Sequence, residues 1–240
     1  MIDRRTFVAG AMAAGALRVA PAQPSGARGK RVATGDARLA PPADGARIPV
    51  AVAISEGTTD IDWVGPCAAF ESWHREPGSG KPVPKFEIFT VSASTEPLSG
   101  RSKRTIPAFS FDAAPPARVI VVPAQRGSDA LVAWLKKASA TADVTMSVCV
   151  GAHHLAKAGL LDGLEATTHH DSIADLVRDF PAVKWVSGVR FVEAERFSTG
   201  GGLTAGIDLG LRVVERYFGR AAALAVAEHL EYEGIGWILD

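Results

Sequence analysis

From residue 48 onward the chain carries two rhythms of apolar side chains. Short, largely apolar runs at 48–54, 119–122 and 144–148 have strand length, which predicts strands covered on both faces of a parallel sheet. Residues 86–91 alternate as a strand should, and 105–111, interrupted by Pro107, suits a weaker strand at an edge. The second rhythm is helical. Leu131, Trp134 and Leu135 mark one face of a helix over 129–140, and Leu203, Ile207, Leu211, Val214 and Phe218 mark a long helix after the glycines at 200–202. Further helices are predicted at 62–73, containing Pro66, at 172–180, and at 221–231, the last packed on the sheet. A short strand is expected at 166–168, and 183–193 pairs with 196–199. Strands alternating with helices predict an α/β sandwich with a mostly parallel sheet. Right-handed crossovers put the strand ends before Asp62 and Cys149 on one rim, where ligand-binding residues gather in such sheets.

The first 46 residues follow neither rhythm. Asp3-Arg-Arg-Thr-Phe-Val8, an Ala/Gly-rich apolar run to Leu17 and Ala20-Pro-Ala22 together have the parts of an export signal, and Arg4-Arg5 resembles a twin-arginine pair. The apolar core is too short for a stable membrane anchor and is closed by Arg18, so cleavage near Ala22 and a periplasmic or secreted location are expected. Residues 23–46, rich in Pro, Gly, Ala and Arg, predict a disordered tether, leaving 47–240 as one α/β domain.

Charge narrows the partners. The chain has no formal net charge, but 47–240 holds 19 basic and 23 acidic residues with no basic cluster, which argues against nucleic acid. A small molecule is the expected partner. The two cysteines, Cys67 and Cys149, form neither a disulfide framework nor a Cys-x-x-Cys motif. Cys67, among Ala68, Ala69 and Phe70, is expected in the core.

Cys149 ends the 144–148 strand and precedes Gly151 and Ala152, small residues that let a helix start close to a sheet. A nucleophile elbow has this layout, and so does a buried cysteine serving as a small hydrophobe. The helix N-terminus is expected to hold the thiol below the ordinary value of about 8.5, provided Asp62 keeps the proton. Asp62 near a helix start is open to two roles, charge partner of that helix or proton donor to the sulfur.

Asp62-Trp-Val-Gly-Pro with Phe70, Ser147-Val-Cys-Val-Gly-Ala, Ala158-Gly-Leu-Leu-Asp-Gly163, Ala166-Thr-Thr-His169, Gly200-Gly-Gly-Leu-Thr-Ala-Gly-Ile-Asp208 and Leu230-Glu-Tyr232 resemble, in this order, the PfpI superfamily. The nearest branch is that of isocyanide hydratase and the sensor domains of AraC-type regulators. The resemblance implies a three-layer sandwich, flavodoxin-like or class I glutamine amidotransferase-like. It also implies a thiolate nucleophile at Cys149, an acidic partner at Asp62, no cofactor and a homodimer. Oxyanion donors would be the backbone amides of Val150, Ala124 and Gln125. Three departures stand out. Val150 replaces the threonine of hydratases and the histidine of PfpI proteases, which speaks against a protease. Pro123-Ala-Gln125 replaces Pro-Gly-Gly, so side chains are expected to crowd the pocket, and His170 replaces a tryptophan.

Gly65, His153, His169 and His170 are candidates for the pocket wall, His153 being better suited to a solvated helix face. No metal site is expected, because adjacent histidines point apart and no acidic ligand has a matching spacing. Gly200-Gly-Gly202 lacks the Lys-Ser/Thr of a phosphate loop and is expected to need positive φ and close packing. The function implied is a cysteine-dependent small-molecule hydratase or carbon–nitrogen hydrolase. The alternative is a non-catalytic periplasmic module that binds a ligand or senses oxidants through the thiol.

Overall fold

The computed structural model describes residues 30–32, 38–43, 45–72 and 86–239; the signal-like stretch 1–22 lies outside them. In chain order these residues form β1 (Lys30–Val32), β2 (Ile48–Ala53), α1 (Ile61–Glu71), β3 (Phe86–Ser92), β4 (Leu98–Ser99), β5 (Arg104–Thr105), β6 (Phe109–Ser110), β7 (Val119–Val122), α2 (Asp129–Ala138) and β8 (Val144–Val148). A 3-10 turn at Cys149–Gly151 leads into α3 (Ala152–Lys157). β9 (Glu165–Ala166), a second 3-10 turn at His170–Ser172, α4 (Ile173–Asp179), β10 (Lys184–Trp185), β11 (Phe191–Ala194), β12 (Phe197–Gly200), α5 (Ala205–Phe218) and α6 (Arg220–His229) follow.

Eight strands make one sheet in the order β1-β11-β12-β8-β7-β2-β3-β6. All its pairings are parallel except β11 with β12. The uninterrupted apolar runs are explained by two cores. In β2, Ile48, Val50 and Val52 face one core while Ala51 and Ala53 face the other, and β7 divides Val119 and Val121 from Ile120 and Val122 in the same way. Residues of α1, α5 and α6 fill the first core, and those of α2 and α3 the second, giving the expected three layers.

Several elements depart from expectation. The 105–111 strand is split, its start pairing with β4 and its end, β6, forming the sheet edge. Glu165–Ala166 pairs with Lys184–Trp185 away from the main sheet, and only Phe191–Ala194 pairs with β12, because Gly188 at φ 73 turns the chain between. Leu203 precedes α5 and is exposed. α6 packs chiefly on α5, so its alanine-rich face meets a helix rather than the sheet directly. Part of the supposed tether is built into the fold: Lys30–Val32 pair with β11, the Leu39 N–H donates to the Arg216 carbonyl (2.8 Å), and Arg118 donates to the Ala40 carbonyl (2.8 Å).

Because β2, β7, β8 and β12 run parallel, their C-terminal ends share one rim. The segments leaving them carry Asp62, the 123–127 loop, Cys149 and the 200–204 loop.

Candidate active site

The elbow begins with a sharp change of backbone. Val148 is extended (φ −124, ψ 141), Cys149 is left-handed at φ 58, and Gly151 is already helical. For a residue with a Cβ the left-handed region costs about 1–3 kcal/mol, so the surroundings must impose it. Two bonds do. The Cys149 N–H donates to the Gly201 carbonyl (2.7 Å), and the Cys149 carbonyl accepts from the Thr168 hydroxyl (2.9 Å). Gly151 completes the turn, since a Cβ there would lie 2.1 Å from the Val122 carbonyl oxygen.

Asp62, the second residue of α1, is wholly buried. One carboxylate oxygen accepts from the Ala124 N–H at 3.0 Å, and the other has no protein partner. Burial raises its pKa to about 6, against the opposing pull of the Ala124 N–H and the Arg101 charge. Cys149 is half-buried, and burial raises its thiol pKa, as does the charge of Asp62. The Val150 and Leu203 amides and Arg101 pull the other way without winning. This reverses the expectation of a lowered thiol. The physical reason is burial first and the Asp62 charge second, which together outweigh the Val150 and Leu203 amides and Arg101. Near neutral pH the buried pair therefore holds one proton, and it rests on sulfur.

The loop after β7 plays a different part from the one expected. The Ala124 N–H is spent on Asp62, which removes it from the oxyanion donors. The Gln125 side chain donates to the carbonyls of Ala53 (2.8 Å) and Pro123 (3.3 Å), and Ala124 is buried, so both side chains are committed to the scaffold. The amides that act on the sulfur are those of Val150 and Leu203. The role of the Leu203 amide escaped sequence reasoning, which put Leu203 on the apolar face of the helix. The residue follows three glycines, and the positive φ expected of them falls instead on Leu203, at φ 45. The glycines serve close packing, as at Gly202, where a Cβ would meet the His169 ring at 2.6 Å.

Gly65 faces α5, its missing Cβ 3.3 Å from Ile207. His153 packs edge-on against Phe180, with 5.2 Å between ring centres. Its neighbour His154 is the buried one: burial lowers its pKa to about 4, and its Nε2 meets the Gln125 carbonyl at 3.2 Å, bracing the loop that holds Asp62. His169 lies beside the Leu203 loop, while His170 is exposed. The rings of His169 and His170 do not diverge. Their ligand atoms and the Asp171 carboxylate lie within 4.8 Å of one another on a surface turn, and Asp171 pairs with both rings.

Comparison with known proteins places the chain in a family. The family model described as DJ-1/PfpI matches residues 48–216. An isonitrile hydratase of Pseudomonas putida is 35% identical over 157 residues, covering 62% of this chain and 68% of the hydratase. The HTH-type transcriptional regulator GbdR of Pseudomonas aeruginosa is 36% identical over 89 residues, 37% of this chain, and the match spans only 24% of the regulator's length. A ThiJ/PfpI family structure from Pseudomonas syringae superimposes with a TM-score of 0.65 at 28% identity, covering 78% of this chain and 76% of that one. With the elbow, the buried acid and a family match over most of the sheet in place, the chain belongs to the DJ-1/PfpI family.

Proposed function

We propose that the chain is a cysteine-dependent enzyme that adds water to, or hydrolyses, a carbon–nitrogen bond of a small molecule. The observation carrying this reading is the buried Asp62 carboxylate, which has one oxygen fixed by Ala124 and the other unpartnered, beside a cysteine held in a left-handed turn. A carboxyl pKa of about 6 lets Asp62 both accept and return a proton near neutrality. The thiol proton passes to Asp62 as sulfur bonds to the electrophilic carbon, and Asp62 returns it to that carbon of an isocyanide, which is left with an electron pair, or to the nitrogen of an amide, which leaves as the carbon–nitrogen bond breaks. Water then attacks the same carbon and the carbon–sulfur bond breaks. One water proton restores the thiol. Negative charge developing on the substrate would meet the Val150 and Leu203 amides. The isonitrile hydratase relative supports the reaction class. Incubation of the purified protein with isocyanides, amides and glyoxals tests it against Cys149→Ala, and equal rates for the two proteins on every compound would refute it.

A second reading is favoured by the unpartnered Asp62 oxygen and by the likeness to a transcriptional regulator. Supplied peroxide would oxidise Cys149 to the sulfinate, and protonated Asp62 would hydrogen-bond it. Selective sulfinate on Cys149 without turnover of any compound would favour this sensor. The Arg4-Arg5 stretch supports export to the periplasm, with cell fractionation as its test. A two-fold homodimer is proposed as well, to be checked by light scattering.

A further inference from the structure

Beside the catalytic pair lies a feature that the proposed chemistry has not used. β4 and β5 form a hairpin whose turn, residues 100–103, stands over the start of α1. The turn is pinned. Gly100 donates to the Lys103 carbonyl (2.8 Å), Arg101 to the Thr58 carbonyl (2.9 Å), and the Ser102 N–H to the Asp60 carboxylate (3.2 Å), which the Ser102 hydroxyl also reaches. Between turn and helix is an open cavity of about 440 Å³ walled by Thr59, Asp60, Ile61 and Val64 on one side and by residues 101–103 on the other. Ile61 and Val64 are each 39% exposed and supply its apolar floor.

Two cations line this cavity, and neither forms a salt bridge with a carboxylate among the described residues. The Arg101 guanidinium makes no such pair, and the Lys103 Nζ lies over the Trp63 ring at 4.6 Å. The single acid in the wall, Asp60, is already taken by Ser102. The cavity is tied to the reaction centre through the backbone: Thr59 donates to the Ala124 carbonyl (2.8 Å), Ala124 donates to Asp62, and Asp62 follows the wall residue Ile61 in the chain. Arg101 is also near enough for its charge to act on both Asp62 and Cys149.

We propose that Arg101, assisted by Lys103, selects a substrate bearing a carboxylate, whose apolar body rests on Ile61 and Val64 while its reactive carbon reaches Cys149. A planar guanidinium suits a carboxylate bidentately. A doubly charged phosphate suits the cavity less well, because Asp60 lies in the same wall. This substrate class rests on Cys149 being the reacting group, and its test is independent of turnover.

Iodoacetate and iodoacetamide form the same carbon–sulfur bond with loss of iodide and differ in carrying or lacking a carboxylate. The readout is the ratio of their rates at Cys149, followed by mass spectrometry of Cys67→Ser protein, because the ratio cancels any change in thiolate content. The ratio is expected to exceed that of a free thiol and to fall about five- to tenfold in Arg101→Gln, with a smaller fall in Lys103→Gln and recovery in Arg101→Lys. Added salt should lower the wild-type ratio toward the variant's. A ratio equal to that of a free thiol, or unmoved by both glutamine variants, would overturn the assignment. Intact anion selectivity in a protein that turns over nothing would instead refute the enzymatic reading and leave the selectivity standing.

Discussion

Cys67 and Cys149 are chemically the same side chain in two kinds of site. Cys67 lies within α1, 3% exposed, and burial with the charge of Glu71 pushes its pKa to about 12. Cys149 is raised too, by burial and Asp62. What separates them is the set of groups working against that rise. Two backbone amides and a guanidinium act on Cys149, and a carboxyl with a pKa of about 6 is there to take its proton, while only upward shifts act on Cys67. A reactive cysteine is thus defined by what can receive its proton and steady its anion, and partial burial alone does not decide the matter.

The largest effect expected is on turnover. Cys149→Ala should lower it by about 10³-fold or more, whereas Cys67→Ala should leave the rate within about twofold and cost only a modest packing term, on the order of 1 kcal/mol, in denaturant unfolding. Loss of activity in the Cys67 variant alone would erase the distinction between the sites. Asp62→Asn comes next, with turnover lower by roughly 10²- to 10⁴-fold and the acid limb near pH 6 absent from the rate profile.

Gly151→Ala tests the elbow from behind. A methyl 2.1 Å from the Val122 carbonyl oxygen must push β7 and the elbow apart, so a loss of about 2–4 kcal/mol in urea unfolding is expected. Asp62 leaves a smaller mark on stability. Its carboxyl ionises near 3.8 when unfolded and near 6 when folded, so between those values the unfolded chain holds fewer protons and stability falls as pH rises. The loss should total on the order of 3 kcal/mol and level off above pH 6, and Asp62→Asn should abolish the slope. The last test is a matter of direction. Alkylation rates against pH should place the Cys149 midpoint above that of free cysteine, and Asp62→Asn should move it down by removing the carboxylate charge. An upward move would show that Asp62, not sulfur, holds the proton at rest.

Much of this was legible in the sequence because it is local or repeated in a fixed order. The apolar runs of β2, β7 and β8 announced a sheet buried on both faces, and Cys149 before Gly151 announced the elbow, since only a glycine fits against Val122. Asp62 was found through its motif. The Ala124 amide was misassigned because its real acceptor, Asp62, lies 62 residues away, a pairing no spacing rule reveals. Arg101 gave no signal at all, as its place over the site depends on how a short hairpin folds onto Thr58. The thiol's direction was misread because the sequence showed a helix start but not the burial and the nearby Asp62 charge that outweigh it.

The left-handed backbone at Cys149 sets the interests of folding and chemistry against each other. An alanine at 149 keeps the unfavourable φ of 58 while losing the sulfur, but a glycine is at ease there, so Cys149→Gly should fold more stably than Cys149→Ala by about 1 kcal/mol. At this position the residue best for folding is one that can perform no reaction, and keeping a side chain there spends stability on function.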